Sequence, residues 1–228
     1  MSDTPHVSES PVAVRRAATV AVLADAADGL RVLLLRRAAS HVFGAGADVY
    51  PGGAVDAADD EMDATPGTDA AFRQAAIREC FEEAGLLVAL ADGPRVNTAE
   101  QARLRRALCA NSMDWSHCIE ALGVRFAPAR LLAFANWTTP VGAPKRYATQ
   151  FYAVAAPAGQ IARADGDETV AAAWVTPTAA LAEARAGTRY LMTPTQATLQ
   201  QLAGFATVAD ALAGLAGPDE NDKADHAD

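Results

Sequence analysis

Residues 69 to 87, Asp-Ala-Ala-Phe-Arg-Gln-Ala-Ala-Ile-Arg-Glu-Cys-Phe-Glu-Glu-Ala-Gly-Leu-Leu, constrain this chain more than any other stretch. At about 100° per residue, a helix here carries Ile77, Cys80, Phe81 and Ala84 on one face. Glu79, Glu82 and Glu83 fall together on the other, because positions three and four apart are neighbours on a helix surface. Asp69 or Thr68 is placed to cap the start, and Gly85 to supply a left-handed stop. Three carboxylates on one face repel one another by roughly a few tenths of a kcal/mol per pair. A hard divalent cation turns that repulsion into attraction, since it prefers oxygen ligands. A solvated acidic face is the plainer reading of the same charges, and the helix pattern alone does not choose between them.

The order of the residues does choose. Arg78-Glu79-Cys80-Phe81-Glu82-Glu83-Ala84-Gly85-Leu86 resembles, position for position, the second half of the Nudix box, Arg-Glu-apolar-x-Glu-Glu-x-Gly-apolar. Upstream, Tyr50-Pro51-Gly52-Gly53-Ala54 resembles the Pro-Gly-Gly turn that opens the box. The spacing departs from the common form, which runs Gly, five residues, Glu, seven residues, Arg. Gly53 and Arg78 are twenty-five positions apart instead of fourteen, so eleven extra residues precede the helix. Counted back from Arg78, the place of the box's first glutamate falls on Ala70.

The resemblance implies an α+β fold of Nudix type, an α/β/α sandwich with a central mixed sheet, over roughly residues 15 to 185, with additional C-terminal helices. It also implies a site. Glu79, Glu82 and Glu83 hold Mg2+ or Mn2+, Arg78 pairs with Glu82 one turn on and orients it, and Gly53 lets the backbone shape the pocket. Glu168 is the candidate for a further carboxylate, as ligand or general base; its plainer reading is a turn acid beside Asp165 and Asp167. The implied reaction is water attack on the pyrophosphate of a nucleoside diphosphate linked to another group.

Within the superfamily, four features resemble the branch that includes peroxisomal-type coenzyme A diphosphatases. They are the lengthened box loop, the run Ala71 to Ile77, Trp137-Thr-Thr-Pro140 before Lys145-Arg146-Tyr147, and Asp165-Gly-Asp-Glu168 before Trp174. That branch implies coenzyme A or an acyl-coenzyme A as substrate. Ala148, where the branch tends to carry an aspartate, counts the other way. A pyrophosphatase of NADH or ADP-ribose, or a non-catalytic nucleotide-binding module of the same fold, remains open. A structural protein built on the alanine-rich C-terminal helices is a third class, for which no residue argues.

A net charge of -9 argues against a nucleic-acid backbone as the main partner. It leaves a phosphorylated small molecule open, because bound metal reverses the local charge of a site. Cys80, Cys109 and Cys118 have no metal-ligand spacing, and Cys80 reads as packing. With no signal segment, no membrane-length apolar run and no disulfide framework, the expectation is a cytoplasmic protein without a membrane partner. A homodimer is plausible for such a chain, although no residue of the sequence shows it.

Along the chain, residues 1 to 12 and the acidic tail from residue 217 read as disordered, flanking one domain over 13 to 216. Ala17 to Ala24 and Leu30 to Arg36 read as a hairpin about Asp25 to Gly29. Arg36, Arg37 and His41 at its end, with Lys145 and Arg146 further on, are candidate phosphate-binding cations; a solvated strand edge is the alternative. Ala47 to Tyr50 reads as a short strand, and Asp56 to Thr68 as a surface loop. Strands are expected at Leu86 to Leu90, Arg130 to Ala135, Arg146 to Val154 and Thr169 to Val175. Helices are expected at Thr98 to Ala110, 113 to 122, Pro177 to Ala184, Pro194 to Leu202 and 207 to 215. Gln160 to Ala164 reads as extended. Tyr147, Phe151 and Tyr152 are candidates for stacking on a base, but cannot all share one face of a strand.

Overall fold

The computed structural model describes residues 12–40, 44–62, 69–92 and 98–216. The expected disorder at both ends, His41 and the Thr68 cap lie outside these residues. Seven strands form one mixed sheet, β1 (Val14–Ala26), β2 (Gly29–Arg37), β3 (Asp48–Val49), β4 (Gly52–Ala54), β5 (Leu132–Thr138), β6 (Arg146–Ala155) and β7 (Thr169–Val175). The path runs β3-β2-β1-β6-β5, with β4 also on β1 and β7 also on β2. Among the described strands, only the β1–β6 pairing is parallel and the others are antiparallel, with one further parallel bridge from Asp48 to Leu191.

Seven helices cover the sheet: α1 (Ala57–Met62), α2 (Ala70–Ala84), α3 (Thr98–Cys109), α4 (Trp115–Leu122), α5 (Pro177–Arg185), α6 (Thr193–Leu202) and α7 (Val208–Leu215). Alternation along β1 and β6 feeds two cores. Val20, Val22 and Tyr152 pack with Ile77, Cys80, Phe81 and Ala84 of α2 and with α3 and α4. Ala21, Leu23, Phe151 and Ala153 pack on the other face with Ala180, Leu199 and Ala211 of α5 to α7. The result is the α/β/α sandwich with a central mixed sheet.

The hairpin forms as expected, with Ala26 paired to Gly29 and Gly29 at φ 108°. Gly85 terminates α2 at φ 71°, in the left-handed conformation that a glycine adopts without a Cβ penalty. Asp69 precedes α2 but makes no capping hydrogen bond. Its carboxylate instead accepts from Arg73 Nε at 2.7 Å and the Tyr152 hydroxyl at 3.0 Å.

Two expectations are overturned. Leu86 to Leu90 is buried but forms no strand, apart from a single bridge from Leu90 to Phe126. Ala89 takes φ 54°, and Leu87 pairs its backbone with the side chain of Gln160 in place of a neighbouring strand. Asp56 to Thr68 is not simply a surface loop. Ala57–Met62 is helical and carries Asp59 inward to 0% exposure.

Candidate functional site

The acidic face of α2 is covered rather than solvated. Glu83 is 4% exposed, and the Glu79 and Glu82 side chains keep 14% and 24% of their surface. β4 lies against this face because Gly52 and Gly53 have no side chains. A Cβ on Gly53 would fall inside contact distance of the Glu79 carboxylate, and one on Gly52 would strike Ala18 and Thr19 of β1. The Gly52 N–H donates to Glu83 Oε2 at 2.9 Å. The Pro-Gly-Gly segment is thus a strand end docked on the carboxylates.

Burial is the main cause of the electrostatics that follow. It pushes Glu79 up to about 7, with Arg78 opposing and the Glu82 and Glu168 charges adding to the rise. It drives Glu83 well above the carboxylate range, reinforced by Glu79 and opposed by the Gly52 N–H and Arg37. It also raises Glu82 against Arg78. Burial works against the Arg78 charge too, but Asp59, Glu79 and Glu82 together hold it above the ordinary guanidinium value.

Arg78 does more than pair with Glu82. Its Nη1 reaches Glu79 at 2.9 Å and Glu82 at 3.3 Å, while Nη2 donates to the Ala54 carbonyl at 3.0 Å. Its principal partner is Asp59, which takes Nε at 3.1 Å and Nη2 at 2.9 Å and also accepts from the Asp56 N–H at 2.9 Å. This corrects the placement of the insertion. Asp59 stands six positions after Gly53, the interval that the common box gives its first acid, so the eleven extra residues follow that acid. Ala70 is not its substitute. The Gly53-to-Asp59 interval was the available signal, obscured because the acid is an aspartate in an acidic run.

Glu168 faces the same place. A cavity of about 320 Å³ is lined by Glu79, Glu82, Glu83, Arg78 and Glu168. The turn beside it is organised by Asp165, whose carboxylate accepts the N–H groups of Asp167, Glu168 and Thr169 at 2.7 to 3.1 Å. Asp165 is therefore the turn acid. Part of the wall comes from the α3–α4 connection, including Asn111, Met113 and Asp114. None of those was singled out by the sequence, since a wall depends on how two helices meet rather than on a motif.

The donor set is all oxygen, largely shielded on α2 and short of compensating cations there, and so suits a hard divalent ion. Among the described residues, no three of these side chains already converge as a coordination shell. Glu79 is turned to Arg78 and Glu83 to Gly52.

A second cavity, of about 500 Å³, opens on the other side of Gly52 and Gly53, against the α6 face of the sheet. Arg37 and Lys145 line it, as do Tyr147 and Phe151 from one face of β6. Tyr152 points the other way, into the α2 core. Ala148 shares the Tyr152 parity and so does not bear on this cavity. Arg36 and Arg146 do not line it. Arg36 pairs with buried Asp48 at 2.9 Å, and Arg146 donates to the Thr139 carbonyl at 3.1 Å.

The chain is similar to known proteins over most of its length. The family model described as the NUDT19 Nudix domain matches residues 60–202, more than half of the chain. A curated Caenorhabditis elegans protein, "Putative nudix hydrolase 7", is 30% identical over 171 residues, which is 73% of this chain and 53% of that protein. The chain thus spans about half the length of this curated relative. The crystal structure of a NUDIX hydrolase from Alicyclobacillus acidocaldarius superposes with a TM-score of 0.76 at 30% identity, covering 89% of this chain and 96% of that one.

Proposed function

Given that the chain belongs to the Nudix hydrolase family, we propose that it hydrolyses the pyrophosphate of a nucleoside diphosphate linked to another moiety. Members of this family in general work with divalent metal ions. The observation that carries the reading is the set of three under-compensated carboxylates on α2, Glu83 buried and Glu79 and Glu82 half-buried, which share one cavity with Glu168. Glu79, Glu82 and Glu83 are the residues to hold Mg2+ or Mn2+. Such an ion supplies charge neutralisation at phosphoryl oxygens and an acidified water.

The chain's own groups do the rest. Arg78, clamped by Asp59, holds Glu79 and Glu82 in place. The Gly52 N–H fixes Glu83, and Gly53 lets the backbone lie directly against the Glu79 carboxylate. Glu168 stands across the cavity as the candidate base for the attacking water. Arg37 lines the second cavity and also acts on Glu83, so it stands where a phosphate would bridge the two.

For the substrate, the branch resemblance and the Arg37–Lys145 pair favour coenzyme A or an acyl-coenzyme A over NADH or ADP-ribose. The test is a metal-dependent hydrolysis screen over these compounds and 3'-dephospho-coenzyme A, with products identified by mass. Release of 3',5'-ADP and a phosphopantetheine at the highest kcat/KM is expected. ADP-ribose or NADH cleaved about tenfold better, a gap of ~1.4 kcal/mol, removes the coenzyme A assignment. Glu168→Gln is expected to lower kcat about 10^2-fold with little change in KM; an unchanged kcat returns Glu168 to a turn position.

A further inference from the structure

A further cavity, of about 610 Å³, lies between α3 and the C-terminal end of α2. Three arginines line it, Arg105, Arg106 and Arg163, in a chain whose net charge is -9. Arg103, on the same helix, has its charge already matched, for it donates to both oxygens of Glu100 at 2.9 and 2.5 Å. Among the described residues, no carboxylate forms such a pair with any of the three cavity arginines. Arg105 has a structural task. Its Nε donates to the Glu82 carbonyl at 2.9 Å, where a cation complements the end of the helix. Its Nη2 is nevertheless shut off from solvent with no hydrogen-bond partner among the described residues. A buried donor left in that state costs stability until an acceptor reaches it. Arg106 and Arg163 have exposed side chains and no such task. The Arg163 backbone N–H donates to the Ala84 carbonyl at 2.8 Å, which holds that residue at the end of α2.

Two carboxylates line the same cavity and offset little of this charge. Asp165 is spent on the N–H groups of Asp167, Glu168 and Thr169 and on the Thr169 hydroxyl, at 2.5 to 3.1 Å. Asp167 is exposed. Gln101 and Gln160 are engaged with backbone, the first donating to the Gly85 carbonyl and the second accepting from the Leu87 N–H, both at 2.8 Å. They form a fixed wall. The volume is in the range of small-molecule sites, and a guanidinium fork matches the oxygens of a phosphate. The cavity adjoins the carboxylate site, since Cys109, Asp165 and Asp167 line both, but Glu79, Glu82 and Glu83 do not line it.

We propose that this cavity binds a phosphate-bearing anion at a site separate from the metal-dependent one, between Arg106 and Arg163 and over Arg105. The ligand is tied to the neighbouring site through Arg105, whose guanidinium holds the Glu82 carbonyl. Inorganic phosphate and the phosphate monoester of a nucleotide share this chemistry. Binding here needs neither metal nor turnover, so the site stands or falls independently of the hydrolase reading.

The experiment titrates the full chain, free of metal and at constant ionic strength, with inorganic phosphate, AMP and adenosine. Phosphorus NMR follows the first two, and thermal melts follow all three. Phosphate and AMP are expected to bind saturably and to raise the melting temperature, as a ligand of the folded state does; adenosine should do neither. Arg106→Gln combined with Arg163→Gln, both at exposed positions, should weaken binding at least about tenfold. Arg31→Gln combined with Arg103→Gln removes the same charge from arginines that are already paired, and should leave binding unchanged. Arg37→Gln, in the 500 Å³ cavity, should also leave it unchanged. AMP bound much tighter than phosphate identifies a nucleotide as the ligand, and equal affinities identify phosphate itself; either result supports the site. Adenosine bound as tightly as AMP, or no saturable binding of any of the three, overturns it. So does binding that survives loss of Arg106 and Arg163, that falls equally in the Arg31 and Arg103 control, or that is lost in Arg37→Gln.

Discussion

Asp48 and Glu83 are almost equally removed from solvent, at 2% and 4% exposure, and the molecule treats them in opposite ways. Asp48 accepts two hydrogen bonds from Arg36, at 2.9 and 3.1 Å, and is also paired with Arg189, which holds Glu183 at 2.8 Å. Two guanidinium groups flank one carboxylate, and together they tie β2 and β3 to the segment between α5 and α6. Glu83 accepts from a backbone N–H and has Glu79 and Glu168 as charged neighbours, with Arg37 acting against them. A buried charge that is fully paired is scaffold. One that is crowded by like charges costs stability, and that cost is recovered when a cation binds.

The largest expected effect breaks the comparison at Glu83. Glu83→Gln keeps an acceptor for the Gly52 N–H and removes one of the like charges, so the protein should melt at or above the wild-type temperature. Hydrolysis should fall by about 10^3-fold or more, equivalent to ~4 kcal/mol of transition-state stabilisation. Wild-type turnover at saturating Mg2+, or an unfolded variant, would make Glu83 a scaffold residue like Asp48.

Asp48→Ala should do the reverse. It strands Arg36 and Arg189, and breaking a buried pair costs about 3–5 kcal/mol. The Arg36 side chain is 47% exposed and can turn to water, so the low end is expected. Urea denaturation measures the loss, and kcat under native conditions should stay close to wild type. A loss below ~1 kcal/mol would mean that the two arginines do not depend on Asp48.

Asp59 lies between the two cases, since it is scaffold for the site itself. Asp59→Asn keeps the shape but leaves Arg78 with weaker partners. A stability loss of about 1–3 kcal/mol is expected, with a roughly tenfold fall in kcat, or ~1.4 kcal/mol, and Asp59→Glu restoring part of both. An unaltered kcat in a destabilised Asp59→Asn would confine Asp59 to folding.

These residues also show how far the sequence could be read. The α2 helix was legible because its C-terminal half sets Ile77, Cys80, Phe81 and Ala84 apart from Glu79, Glu82 and Glu83 and Gly85 stops it, and β6 because Arg146 to Val154 alternates. The proposed role of Glu79, Glu82 and Glu83 rests on their order, and that of Gly53 on its place before them. Asp59 was not legible as a buried partner, because a six-residue helix shows no usable period and Ala-Ala-Asp-Asp-Glu-Met looks solvated. Arg36 and Arg37 are adjacent and alike in sequence. They divide between an ion pair and a cavity because the fold brings Asp48 to Arg36 alone, and because the pairing of β2 with β7 shifts register between the two arginines. The α3–α4 wall depends on long-range packing, which no local pattern announces.

The smallest effect concerns protons, and it tests the comparison without any substitution. Glu79 has a native value of about 7, raised mainly by burial, against an ordinary 4.5, and Glu83 is raised further. A raised acid binds more protons folded than unfolded. Its stabilising contribution is therefore full below the ordinary value and is lost as pH rises through the native one. Metal-free protein should lose ~1–3 kcal/mol between pH 5 and pH 8 from this source. His117 is also raised above its ordinary value by its hydrogen bond to Asp114 and contributes with the same sign, so the slope alone does not identify the carboxylates. Two controls do. Glu83→Gln should flatten the slope, and His117→Gln should remove only the histidine's share of it. Mg2+ competes with protons for the same oxygens, so its protection in thermal melts should be small at pH 5.5 and several degrees at pH 8. Equal protection at both, or a metal-free protein that gains stability toward pH 8, would show that the α2 carboxylates are compensated as fully as Asp48 is.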